Sequence, residues 1–348
     1  MLWIPEFAKS RLIFGTPRMA NAQRPNPTLA QVASWLATRY DGTVLDLSPL
    51  AGGFWSSAFT YCVGTDEFVL RLSDLPDGFM IDAAAMRFKA PNLPVPIVID
   101  TGRALGLHFA ISQRHYGRFI ETTSAKEASA VGGALEVLLA AMRAVPARPD
   151  DAVVWYDQEA SAGVTWRAWL RAGLVDDPDA RVSGWRAKLA SNPRFDALFN
   201  ACESRIEELL PECPERRDLI HGDLLHQNVL VAENAAHVTA VFSWKCSARG
   251  DFLFDVAWCT FWGAWHPGIA AADLWHRTLS AADLGEGDLE DAPVRHHCYE
   301  LQIAASHLGW YAWTGDDQGL VAVADAAERT LERGPLPSRR ASERESGG

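Results

Sequence analysis

The sequence contains no Cys-x-x-Cys pair, and its six cysteines are scattered over 348 residues. A zinc site or a disulfide framework is therefore not indicated. No apolar run approaches the roughly 20 residues that span a bilayer, so no membrane partner is expected. The N-terminus lacks the long apolar core and small-residue cleavage pattern of a signal peptide, so the chain is expected to be cytoplasmic. A second methionine stands at Met19, and residues 1–18 are expected to be a dispensable extension. Excess basic charge is also missing: the formal net charge is -12. Phosphate backbones are neutralised by Lys and Arg, so nucleic acid is excluded as a partner. An acidic surface attracts polycations, although solubility alone accounts for acidity of this kind. There is no Gly-x-Ser-x-Gly elbow, which places a hydrolase built on Ser243 and His221 last among the readings. The one metal-like run, His296-His297-Cys298, falls in an expected helix. Adjacent residues there point in different directions, so a chance cluster is expected.

What is present is the balance of a folded protein, 48% hydrophobic and 22% charged. Thr28 can cap a helix with apolar positions Leu29, Val32, Ala33 and Leu36. Strand patterns follow at Val44–Leu47, Ala58–Val63, Glu67–Leu72, Val95–Asp100 and Leu107–Ser112, with a hairpin turn at Gly64-Thr65-Asp66. After Arg114 the texture becomes helical. Ser124 and Glu127 form a capping box before a helix reaching about Val145. Helices are also expected at Val164–Leu174, Ala197–Leu210, Tyr299–Trp313 and Leu320–Leu331. Short strands at Leu219-Ile220, Asn228–Val231 and His237–Phe242 interrupt them. The pattern predicts an α+β, two-lobed fold, expected as a monomer: residues 19–114 form a β-rich lobe, residues 115–335 a mainly helical lobe, and 336–348 a disordered tail. A cleft between two lobes is a common way to hold a nucleotide.

The chemistry concentrates in His221-Gly-Asp-Leu-Leu-His-Gln-Asn228. Phosphoryl transfer needs a carboxylate to accept the hydroxyl proton, oxygen ligands for Mg²⁺ and positive charge on the phosphates. Asp223 can supply the carboxylate, and Asn228, at the loop exit, a neutral oxygen. An isolated His-Gly-Asp is ordinarily a turn. The run His-Gly-Asp-x-x-x-x-Asn before apolar residues, however, resembles the catalytic loop of aminoglycoside phosphotransferases and choline kinases, which share the protein-kinase-like fold. The likeness continues in Thr239-Ala-Val-Phe-Ser-Trp244, Gly250-Asp251, Asp255-Val-Ala257, Phe68-Val-Leu-Arg-Leu72 and Leu93-Pro-Val-Pro96. In pattern it is nearest the hygromycin-B phosphotransferase type, over roughly residues 28–334.

The resemblance implies ATP (or GTP) and Mg²⁺ as cofactors and a small, cationic, aminoglycoside-like molecule as hydroxyl acceptor. It implies Asp223 as base, Asn228 as a metal ligand, and His221 as a shaper of the loop. Gly52, Gly53 and Ser56 match its nucleotide-covering loop, where backbone N–H groups can approach phosphate. Arg71 matches the strand position that pairs with phosphate. Asp82 is the best-placed partner acid, with Asp74 and Asp77 as rivals. One position departs. Where the resemblance implies a second metal-binding Asp, the sequence has Ser243. Three consequences are open: Asp251 substitutes, a water bridges Ser243 to the metal, or the protein is a catalytically impaired, kinase-like binding protein.

Overall fold

Thr28 and Gln31 close a capping box at the start of α1 (Leu29–Arg39), each side chain taking the other's backbone N–H. Val32 and Leu36 face inward from it. Five antiparallel strands follow: β1 (Val44–Leu50), β2 (Ser57–Val63), β3 (Asp66–Ser73), β4 (Val98–Ala104) and β5 (Leu107–Gln113). Their order in the sheet is β1-β2-β3-β5-β4. The chain is a computed structural model that describes residues 24–50, 53–148, 151–157, 159 and 161–338. The expected extension over 1–18 and Gly52 lie outside these residues, as does the expected tail beyond 338.

Side chains alternate faces along a strand. Phe59 and Tyr61, Leu70 and Leu72, and Phe109 and Ile111 are buried with α1 on one face of the sheet. Arg71 lies between Leu70 and Leu72 and so projects from the opposite face. Its cross-strand neighbours are small, Ala58 and Ala110. The period-2 pattern thus aims the arginine away from the lobe's core. The β4 strand begins at Val98 rather than Val95. Pro94 and Pro96 have no N–H to donate to a ladder, which delays its start.

Between β3 and β4 runs α2 (Asp77–Ala85). After β5 come β6 (Arg118–Phe119) and α3 (Ala128–Arg143). The predicted Ser124–Glu127 capping box is present ahead of α3, closing a single 3₁₀ turn first. Then follow α4 (Trp166–Ala172), α5 (Trp185–Ala190), α6 (Pro193–Leu209), β7 (Asp218–Ile220), β8 (Val229–Val231), β9 (Val238–Val241) and β10 (Ala248–Gly250). The last helices are α7 (Leu253–Gly263), α8 (Pro267–Ala271), α9 (Leu274–Ser280), α10 (Ala292–Thr314) and α11 (Asp317–Arg333). The short strands form two small sheets, β6-β8-β9 and β7-β10. No helix among the described residues is long and apolar enough to cross a membrane.

The axis of the helical lobe is α10, packed by α5, α6, α7 and α11. It starts seven residues before the expected Tyr299, helped by Pro293 in its first turn. The added turns are polar in sequence yet buried, which hid them from an apolar count. His296 illustrates how. Its Nε2 meets Thr260 Oγ1 at 2.8 Å, and its ring lies against Trp275. Nδ1 lies 3.4 Å from a Glu300 oxygen, but that carboxylate is taken by Arg333. Burial, reinforced by the Arg333 charge, lowers the His296 pKa from 6.5 to about 3, so the ring stays neutral and the contact is no salt bridge. The sign for stability follows. Below pH 6.5 the unfolded chain takes up a proton at this residue, and the folded chain does not until about pH 3. His296 therefore costs stability as the pH falls through that window. His296→Gln should gain on wild type by about 2 kcal/mol between pH 7 and pH 5. Urea denaturation at the two pH values checks it, and a constant gap would contradict it.

Candidate active site

The loop between β7 and β8 is built around a glycine that no other residue can replace. Gly222 has φ +71, and a Cβ there would meet the Cys246 carbonyl at 2.5 Å. The backbone N–H groups of His221 and Gly222 both donate to the buried carboxylate of Asp255, at 2.7 and 2.8 Å. Burial pushes Asp255 up to about 7 against the pull of those two donors. Asp255 thus pins the entry of the loop from α7. Both ring nitrogens of His221 face backbone: Nδ1 accepts from the Asp223 N–H at 3.2 Å, and Nε2 donates to the Phe242 carbonyl at 3.1 Å. The ring thus ties the loop to itself and to the end of β9.

Asp223 is 4% exposed. One of its carboxylate oxygens accepts from His226 Nδ1 and the other from Asn228 Nδ2, each at 2.7 Å. Asn228 Nδ2 also donates to the Asp223 carbonyl at 2.7 Å. The two predicted residues are therefore joined directly, with the amide's nitrogen turned to the base. Beyond the loop, Phe242 N–H donates to the Asn228 carbonyl, so the end of β9 lies beside the start of β8. Ser243 is the next residue, in the left-handed conformation with φ 70 and ψ 59.

Across the cleft, Arg71 pairs with Asp82 of α2 at 2.7 Å. Asp82 also accepts the Trp244 N–H at 2.8 Å. One carboxylate thus ties β3, α2 and the segment after β9 together. Asp74 instead pairs with Arg181. A cavity of about 310 Å³ lies between the lobes, of a size that suits a small ligand. Gly53, Ser56, Arg71 and Asp82 line one side of it, and Gln227, Phe242 and Trp244 another. The connector Ser112–Gly117 borders its edge. Next to Gly53, Phe54 and Trp55 pack against Trp310 and Trp313 of the helical lobe, with Arg181 3.9 Å over the Trp55 ring.

Asp251 does not stand in for the missing acid. Its carboxylate accepts from Arg295 Nε, Arg295 Nη2 and the Tyr299 hydroxyl, each at 2.8 Å, and it is fully buried there. Among the described residues no group of three His, Cys, Asp or Glu side chains could hold a metal. The oxygens of Asn228 and Ser243 are of a kind that suits Mg²⁺, and nucleotide phosphates supply further ligands in kinase sites. The set fits the ion in type but brings no carboxylate besides Asp223.

The pattern of the phosphotransferase enzyme family matches residues 46–294. The chain belongs to this family. It is 30% identical over 252 residues to the hygromycin-B 4-O-kinase of Escherichia coli, covering 70% of each chain. The crystal structure of aminoglycoside phosphotransferase APH(4)-Ia superposes with a TM-score of 0.76 at 25% identity, covering 89% of this chain and all of that one. A thermostable variant of that enzyme, in a ternary complex with AMP-PNP and hygromycin B, superposes at 0.73 and 25% identity, covering 87% of this chain and 98% of that one. The fold is accordingly that of a kinase-like phosphotransferase, with an antiparallel-sheet lobe and a helical lobe.

Within this phosphotransferase frame, sequence reasoning missed three residues. Asp255 lies in the quoted Asp-Val-Ala run, but nothing in that run indicates that it holds a loop 33 residues earlier. Glu121 accepts the Gln227 N–H from outside the loop. Burial raises its pKa, with that N–H opposing. His226 sits inside the motif at a position the pattern leaves open. The signal for it was a titratable residue three places after the base.

Proposed function

We propose that this phosphotransferase moves the terminal phosphoryl group of ATP to a hydroxyl of a small cationic molecule of the aminoglycoside type. Residues 19–114 carry the nucleotide and 115–335 the acceptor, in a cytoplasmic monomer. One observation carries the reading: the Asp223 carboxylate is fixed by His226 and Asn228 on the loop whose Gln227 lines the cleft that also holds the Arg71–Asp82 pair. Asp223 takes the proton of the acceptor hydroxyl as that oxygen closes on the terminal phosphorus and the bond to the departing ADP oxygen breaks. Arg71, oriented by Asp82, holds phosphate oxygens through its fork of donors. Gly53 and Ser56 cover the phosphates from above. Asn228 and Ser243 would hold Mg²⁺, which supplies charge neutralisation at the phosphates when bound.

The test is ADP release with ATP and Mg²⁺ over a panel of aminoglycosides, hygromycin B first, and other amino-alcohols. Acceptor-dependent release is expected for at least one cationic acceptor. A second reading, a kinase-shaped binding protein, is favoured by Ser243 alone. Under it no acceptor stimulates release, and nucleotide raises the melting temperature equally with and without Mg²⁺. That pair of results would replace the first reading with the second.

A further inference from the structure

The least expected feature of the catalytic loop is the histidine at its centre. His226 Nδ1 lies 2.7 Å from an Asp223 oxygen. A carboxylate oxygen is the acceptor in such a pair, so Nδ1 is placed as the donor to Asp223. Nε2 is buried and has no hydrogen-bond partner. The ring is 3% exposed and stands edge-on to Trp258 and Trp262, with centroids 5.6 and 4.8 Å away. The backbone is equally particular. His226 and Gln227 are consecutive left-handed residues, φ 64 and 66, a conformation uncommon outside glycine, though His, Asn and Asp adopt it more readily than Gln. The Gln227 N–H is held there by the buried Glu121 carboxylate.

An unsatisfied ring nitrogen and two strained residues all weigh against stability. What they secure is the placement of one N–H against the candidate base. We infer that His226 is a positioning residue for phosphoryl transfer, fixing the Asp223 carboxylate so that a lone pair faces the acceptor hydroxyl. A carboxylate has about four acceptor directions. Asn228 and His226 each occupy one, on different oxygens, which locks its rotation and leaves the others for the incoming proton. The inference rests on Asp223 being the base.

Two measurements on the full chain separate the inference from that premise. The first is the imidazole ¹⁵N spectrum of His226 without nucleotide. It should show the proton on Nδ1 in wild type and a shift of the tautomer balance toward Nε2 in Asp223→Ala. A wild-type ring protonated on Nε2, or one indifferent to Asp223→Ala, overturns the inference. The second is ATP turnover, with hygromycin B or with water as acceptor. His226→Ala should lower kcat by about 10–100-fold, the usual size for a partner that orients a reacting group, with the KM for ATP unchanged. His226→Asn, whose amide can donate from nearly the same place, should recover most of that loss. If Asp223→Asn is inactive while His226→Ala keeps the wild-type kcat, the positioning role fails alone. If His226→Ala raises KM and lowers the melting temperature, and Asn restores nothing, the histidine is structural only. If Asp223→Asn turns over normally, the premise fails whatever the spectrum shows.

Discussion

Asp223→Asn is expected to lower phosphoryl transfer by about 10²–10⁴-fold, the range a general base contributes, or about 3–5 kcal/mol of barrier. The substitution keeps the volume of the side chain. It also keeps an oxygen that can accept from one of the two donors now held, His226 Nδ1 or Asn228 Nδ2. The other donor must find a new partner or turn, so a modest fall in melting temperature accompanies the loss. The KM for ATP should change little, because Arg71, Asp82 and the 310 Å³ cleft are untouched. This split matters: a base acts only as the hydroxyl is deprotonated, so its removal lowers kcat rather than binding. Turnover within tenfold of wild type, with the variant folded, would remove Asp223 from the proton transfer and leave the loop as a scaffold.

The site was legible in the sequence where it depends on spacing. A carboxylate and an amide five residues apart on one loop can meet, and Asp223 and Asn228 do meet. Arg71 was legible because strand alternation puts every second residue on the far face, and its neighbours Leu70 and Leu72 are apolar. Asp82 was one of three rivals, and only coordinates separate it from Asp74, which pairs elsewhere. What could not be read was support from a distance. Asp255 holds the loop from α7, Glu121 holds Gln227 from the segment after β6, and Asp251 is consumed by Arg295 and Tyr299 of α10. These bonds join residues 33 to 106 places apart in the chain. Local pattern carries no information on them. The helix α10 shows the same limit: its buried Arg295, His296 and Glu300 are partnered from other elements, so an apolar period understates its length.

The tension in the site lies between Asp223 and Ser243. The loop retains two strained residues and a buried base with fixed hydrogen bonds. Such features cost stability and persist where function maintains them. The metal side, by contrast, lacks a carboxylate. An impaired enzyme and a working one that leans on phosphate oxygens for the metal's charge share these features, and they differ in what restoring the acid does.

Ser243→Asp should raise Mg²⁺-dependent turnover, or nucleotide affinity in Mg²⁺, by at least about tenfold and up to about 10⁴-fold, the upper end corresponding to about 5 kcal/mol of charge stabilisation. The backbone admits the change. Ser243 is left-handed, and Asp is among the few side chains enriched in that conformation. Without metal the added charge is unfavourable, because it stands one residue from the N–H that Asp82 holds. Like charges repel, so the variant without metal should melt lower than wild type. Mg²⁺ binds only the folded site, so adding it should then raise the variant's melting temperature more than that of wild type. Ser243→Ala separates loss of the hydroxyl from gain of charge: it should fall below wild type if the serine oxygen already serves the ion. A Ser243→Asp protein with wild-type turnover, nucleotide affinity and Mg²⁺ response would show that this position does not face the metal, and the charge deficit would then have to be sought elsewhere in the cleft.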